Sequence, residues 1–142
     1  MRFWDSSALV PLVVEDRLSP ACRRVLRADR GIVVWALTRT EMVSAVRRKQ
    51  RADELTLEEA AAAIRLIERL AQRWDEVDAL DPVRDRAERL LAVHAVRAAD
   101  ALQLAAALVL YDDRPRRRPF VTLDTTLATV AESEGFASLV PR

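Results

Sequence analysis

The sequence predicts an α/β fold, a parallel sheet with helices covering both of its faces. Three observations carry that prediction. Short apolar runs alternate along the chain with stretches of helical periodicity. The two clearest strand candidates, "IVVWAL" and "FVTL", are short and apolar throughout, as strands buried on both sides are. No internal repeat, low-complexity tract or linker interrupts the alternation. The 142 residues therefore read as one domain, residues 1–142, long enough to bury a sizeable core.

The elements follow in order. "RFW" is an apolar run that stops at Asp5 and reads as the first strand. "SSALVPLVVED" turns helical, with Pro11 placed to kink it. Ser19-Pro20 has the form of a helix start, a hydroxyl cap followed by proline, and opens "ACRRVLRAD". Gly31 is expected to end that helix before the β-branched strand "IVVWAL". "TRTEMVSAVRRKQRAD" sets Met42, Ala45 and Val46 on one helical face and finishes in Arg and Lys, which the helix dipole favours. "TLEEAAAAIRLIERLAQRW" opens on a Thr56…Glu59 capping box and repeats Ala60, Ile64, Ile67, Ala71 and Trp74 at helical spacing. "EVDAL" is a weak strand, and Asp81-Pro82 starts a helix through about Ala95. The apolar helix "RAADALQLAAAL" comes next, then a charged surface turn, "DDRPRRRP", and the strand "FVTL". Asp124 caps a last helix, "TTLATVAESE", which Gly135 stops, and "SLV" closes as an edge strand.

Composition narrows the chemistry. Hydrophobic residues make up 51% and charged residues 32%, the balance of a soluble globular domain. The net charge is only +1, so no global field points to nucleic acid. Of the 23 basic residues all but Lys49 are arginine. Arginine forks suit phosphates, although the base composition of a genome accounts for the bias equally well. Cys22 stands alone, which excludes a disulfide within the chain and a thiolate metal site and leaves it as a small buried residue. His94 is the only histidine, so a Cys/His zinc site is excluded, and a surface or packing role is expected of it. The start "MRFWDSSALVPLVVED" meets an acid at position 5 and has neither the apolar span of a membrane helix nor a signal-peptide pattern. A cytoplasmic protein without membrane attachment is the expectation.

Four acids stand out. Ligands of open α/β sheets bind beyond the carboxyl ends of the strands. Asp5 follows "RFW" and Asp124 follows "FVTL", and Glu41 lies in the first turn of the helix after "IVVWAL". Asp100 sits inside an apolar helix, where an ionised carboxylate is costly unless paired or metal-bound. Two helices separate it from the preceding strand, so periodicity leaves open which edge it occupies. Each acid also has a structural explanation: a helix cap for Asp124, a capping box with Thr38 for Glu41, a turn for Asp5, and an ion pair with Arg97 for Asp100. Carboxylates gathered in one crevice instead raise one another's pKa until a cation neutralises them. Oxygen donors without Cys or His suit Mg²⁺ or Mn²⁺.

"FWDSSALV", "TRTEMVSAV", "RAADALQLAAAL" and "FVTLDTTLATVAESEGF" resemble, in order and spacing, the acidic motifs of PIN-domain ribonucleases, and the chain length is that of VapC-type toxins. The likeness spans nearly the whole chain. It implies a three-layer α/β/α sandwich around a parallel sheet of about five strands. It further implies that Asp5, Glu41, Asp100 and Asp124 converge on one or two Mg²⁺ ions. Asp5 and Asp100 match the most consistent metal ligands, Asp124 supports them, and Glu41 positions the attacking water. Ser6 and Thr122 match polar neighbours of the site.

The activity implied is metal-dependent endoribonuclease chemistry, with in-line attack of water leaving a 5′-phosphate and a 3′-hydroxyl. The clusters Arg23/Arg24/Arg27, Arg47/Arg48/Lys49/Arg51 and Arg114/Arg116/Arg117/Arg118 are candidate contacts for RNA phosphates, with a solvated face as the alternative for each. Single-stranded or looped RNA exposes the base edges that such a protein reads. The resemblance also implies a homodimer and a cognate VapB-like antitoxin, its tail packing on "TRTEMVSAVRRK" and "TLEEAAAAIRLIERL" and presenting a basic side chain to the acids. Two other readings stand beside this one: a housekeeping RNA-processing or DNA-directed PIN nuclease, and a non-catalytic protein-binding module.

Overall fold

A computed structural model describes all of residues 1–142. Five short strands form one sheet: β1 (Arg2–Trp4), β2 (Ile32–Trp35), β3 (Asp75–Val77), β4 (Pro119–Val121) and β5 (Ala137–Leu139). Their order is β3-β2-β1-β4-β5, and every pairing is parallel. Seven α-helices cover the sheet: α1 (Ser6–Leu9), α2 (Ser19–Ala28), α3 (Thr38–Arg51), α4 (Leu57–Ala71), α5 (Leu80–Val93), α6 (Ala98–Leu110) and α7 (Thr125–Ser133). This is the expected α/β/α sandwich. No helix is long and apolar enough to cross a membrane.

The alternation of side chains along a strand divides the interior into two cores. Phe3, Val33, Trp35 and Phe120 face one layer, where Leu104 and Leu108 of α6, Val83 and Leu90 of α5, and Leu127 of α7 meet them. Trp4, Ile32, Val34 and Val121 face the other, against Leu9 of α1, Met42 and Val46 of α3, and Ala60 and Ile67 of α4. A strand buried on both sides can spare no polar position. That is why β2, buried at all four residues, carries no sequence alternation. Phe3 and Phe120 stack across neighbouring strands with ring centroids 5.5 Å apart.

Several local details differ from the expectation. Pro11 does not kink α1 but converts its end into a 3₁₀ turn, Val10–Leu12. Ser19 is the first residue of α2 rather than its cap. Asp16 caps instead, its Oδ1 accepting from the amides of Leu18 and Ser19 at 2.7 and 3.1 Å, while the buried Ser19 hydroxyl faces back to the Asp16 amide and the Val14 carbonyl. The α2 helix stops at an extended Asp29, two residues before Gly31. Gly31 serves a close approach: a Cβ there would lie 2.9 Å from the Cα of Met1. The α5 helix ends at Val93, short of Ala95, because His94 turns to extended backbone.

Candidate active site at the carboxyl edge of the sheet

The site is built from β1 outward. Asp5 is the residue after the strand, its amide held by the Val121 carbonyl of β4 at 2.9 Å. The side chain is almost fully buried, at 3% exposure. Both of its hydrogen bonds from side chains fall on one oxygen: Oδ2 accepts from Ser7 Oγ at 2.5 Å and from Thr122 Oγ1 at 2.8 Å. The Thr122 hydroxyl in turn accepts from the Asp124 amide at 3.0 Å, and Ser7 Oγ accepts from the Leu123 amide at 2.9 Å. The ends of β1 and β4 are thus laced through two hydroxyls.

Glu41, in the first turn of α3, reaches across to α1, where its Oε2 accepts from Ser6 Oγ at 2.9 Å. Asp124 is the N-cap of α7, Oδ1 accepting from the Leu127 amide at 3.0 Å. Asp100, half-buried in the first turn of α6, makes no hydrogen bond; burial acts on it first, then the charges of Asp124 nearby and of Arg97 opposing. The capping role proposed for Asp124 is therefore real and occupies one oxygen. The structural explanations offered for Glu41 and Asp100 fail. Thr38 is buried against Gln103 and does not cap Glu41, since the two side chains bond each other at 3.1 Å. Asp5 makes no side-chain cap to α1, but its carboxylate does bond the backbone of Ser7 two residues on, as the turn reading expects. Arg97 is exposed at the N-cap position of α6 and forms no ion pair with Asp100.

The charges are coupled. Burial raises the pKa of Asp5 above the ordinary aspartate value, the hydroxyls of Ser7 and Thr122 pull it partly back, and the charge of Asp100 adds to the rise. Burial likewise raises Glu41, against the pull of Ser6 and the Gln103 amide, with Asp5 and Asp100 contributing to the rise. Asp100 is raised by burial and by Asp124, with Arg97 opposing. No arginine or lysine pairs with any of the four carboxylates. The structure thus places all four sequence-derived acids around one edge, including Asp100, whose edge periodicity had left open. It does not close them into a cage: no three Asp, Glu, His or Cys side chains stand close enough to surround a cation. Mutual repulsion among uncompensated carboxylates opposes such closure.

The donor set fits a hard divalent cation. It is all oxygen, anionic and free of competing basic partners, and the hydroxyls of Ser7 and Thr122 hold Asp5 Oδ2 in place. Beside it lies a cleft of about 520 Å³ lined by Ser6, Ser7, Glu41, Ser44, Arg48 and Ala99, among others. His94 stands apart, its Nε2 2.8 Å from Glu134, so no imidazole joins the acids. Sequence reasoning missed Ser7, Thr38 and Gln103. Gln103 had a usable signal, a polar residue one helical turn after Asp100 in an otherwise apolar helix.

Neither a protein-family model nor a curated protein matches the chain. Among solved structures, the chain is similar to the crystal structure of FitAcB from Neisseria gonorrhoeae, with a TM-score of 0.70 at 18% sequence identity, over 99% of this chain and 98% of that one. The two share a fold along their whole length.

Proposed function

We propose that the chain is a metal-dependent endoribonuclease, the toxin component of a VapBC-type toxin–antitoxin module. The observation that carries this reading is the set of Asp5, Glu41, Asp100 and Asp124 around one sheet edge, three of them with raised pKa and none with a basic partner. Asp5, Asp100 and Asp124 would hold Mg²⁺, with Mn²⁺ as the alternative, and Glu41 completes the acidic ring. Such an ion, when bound, polarises a phosphoryl oxygen and makes a nucleophile of water at neutral pH.

The chain's own residues prepare for that chemistry. Ser7 and Thr122 fix the orientation of Asp5 through its Oδ2. Ser6 holds Glu41 where it can orient water against the scissile phosphate. The cap to Leu127 sets the Asp124 carboxylate and leaves Oδ2 for the ion. No histidine base is needed, in keeping with the engagement of His94 by Glu134. The resemblance to VapC-type toxins supports an RNA substrate, a homodimer, a cytoplasmic setting and a VapB-like antitoxin docking on α3 and α4.

The test is inducible expression of the wild type beside Asp100→Asn, with total RNA sequenced from 5′-phosphate ends. Asp100 makes no hydrogen bond or ion pair, so the substitution leaves the fold intact. Growth arrest and new 5′-phosphate ends confined to the wild type are expected. The same arrest and cut sites in both strains, or 2′,3′-cyclic phosphate products, would sink the assignment.

A further inference from the structure

The cleft beside the acids has a feature that the metal chemistry does not use. Along α3, Glu41, Ser44, Ala45 and Arg48 fall at i, i+3, i+4 and i+7, which is one face of a helix, and all four line the cleft. Among the basic residues that close α3, Arg47 bonds Gln50 and Lys49 pairs with Glu54. Arg48 makes no ion pair and no side-chain hydrogen bond, yet it alone of that group lines the space next to Glu41. Ser44, between Glu41 and Arg48, is exposed with a free hydroxyl.

We infer that this cleft is a subsite for a phosphate neighbouring the scissile one, with Arg48 as its cationic anchor and Ser44 as a hydroxyl donor. This rests on the nuclease reading above. Seven residues of α-helix separate the backbones of Glu41 and Arg48 by about 10 Å along the axis, which sets Arg48 on the flank of the acids. The chain of a single strand passing the acids must continue somewhere, and this cleft opens from them. A guanidinium without a carboxylate partner suits a phosphate, because its forked donors match two phosphate oxygens. Arg48 is thus a positioning residue: it fixes the strand's register relative to the acids.

The test measures binding of a fluorescein-labelled single-stranded RNA dodecamer by anisotropy across a salt series, with Ca²⁺ replacing Mg²⁺ to hold the RNA uncut. Wild type is compared with Arg48→Gln and with Arg73→Gln. Arg73 is exposed and unpaired just before β3, at the opposite edge of the sheet. Arg48→Gln is expected to weaken binding about 5- to 10-fold and to reduce the slope of log K against log salt by about 0.7 to 1, the loss of one phosphate contact. Arg73→Gln is expected to match the wild type. Equal losses in both variants, or no loss at Arg48, overturn the subsite while leaving nucleic-acid binding intact. No binding by the wild type overturns the parent reading, and the subsite with it.

Discussion

At the scale of single residues, the chemistry is concentrated in carboxylates that the fold holds at a cost. Asp5, Glu41 and Asp100 have pKa values raised above their ordinary 3.8, 4.5 and 3.8, so each binds protons more readily folded than unfolded. Their contribution to stability is then fully present below the ordinary values and is lost as pH rises through the raised ones. Without divalent ions these three groups should take stability away as pH rises from acid toward pH 8, while Asp29 and Glu134, whose pKa values are lowered, act in the opposite sense. The variant Asp5→Asn keeps an oxygen to accept from Ser7 and Thr122 and sheds the charge. Its melting temperature in EDTA at pH 8 should exceed that of the wild type by about 4 °C, on the order of 1 kcal/mol, and the two should converge in acid. Mg²⁺ should raise the wild type and leave the variant nearly unmoved. A variant less stable than the wild type at pH 8 would show that Asp5 is held by its bonds rather than strained by its charge. The acids themselves were legible in the sequence because each breaks a local pattern, Asp100 most plainly. Ser7 and Thr122 were harder to assign, since a hydroxyl's partner depends on which strand lies beside it.

At the scale of elements, legibility follows how local the determining contact is. The capping box on α4 spans four residues, and it forms as expected: Thr56 Oγ1 accepts from the Glu59 amide and Glu59 Oε1 from the Thr56 amide, both at 3.0 Å. Thr56→Ala should therefore lower stability by about 1 kcal/mol in thermal melts, with the folded structure at low temperature unchanged by circular dichroism. The capping box suggested by Thr38 and Glu41 has the same spacing, yet it does not form. Gln103 of α6 claims Thr38 and Ser6 of α1 claims Glu41, partners far away in sequence. Spacing alone cannot separate these cases, because the competitor arrives only with the tertiary fold. Ser19 illustrates the same point over a shorter range, displaced from the capping role by Asp16. In the opposite sense α7 behaves as read. Asp124 caps it, and Gly135 adopts φ +101° just beyond its end, against Pro115, where a Cβ would stand 2.9 Å from Cγ.

At the scale of the whole molecule, strand order decides everything about the site, and strand order was not in the local pattern. The central strand β1 pairs with β2 on one side and with β4 on the other, so the chain's first strand is completed by its second-last. Phe120 and Val121 of β4 are fully buried, one in each core. A chain ending at Arg118 lacks both and leaves Phe3 without its stacked partner. Such a fragment should show no cooperative thermal transition by circular dichroism. A cooperative melt would mean that the first three strands form a self-sufficient half. The same arrangement has a consequence in time. Translation delivers Asp5 117 residues ahead of Thr122 and 119 ahead of Asp124, and at about 5–20 residues per second the interval is roughly 6–24 s. For most of it the nascent chain holds Asp5 and Glu41 without the Thr122 hydroxyl and Asp124 carboxylate that follow β4. On the proposed function, a ribosome stalled before Thr122 carries an inert chain.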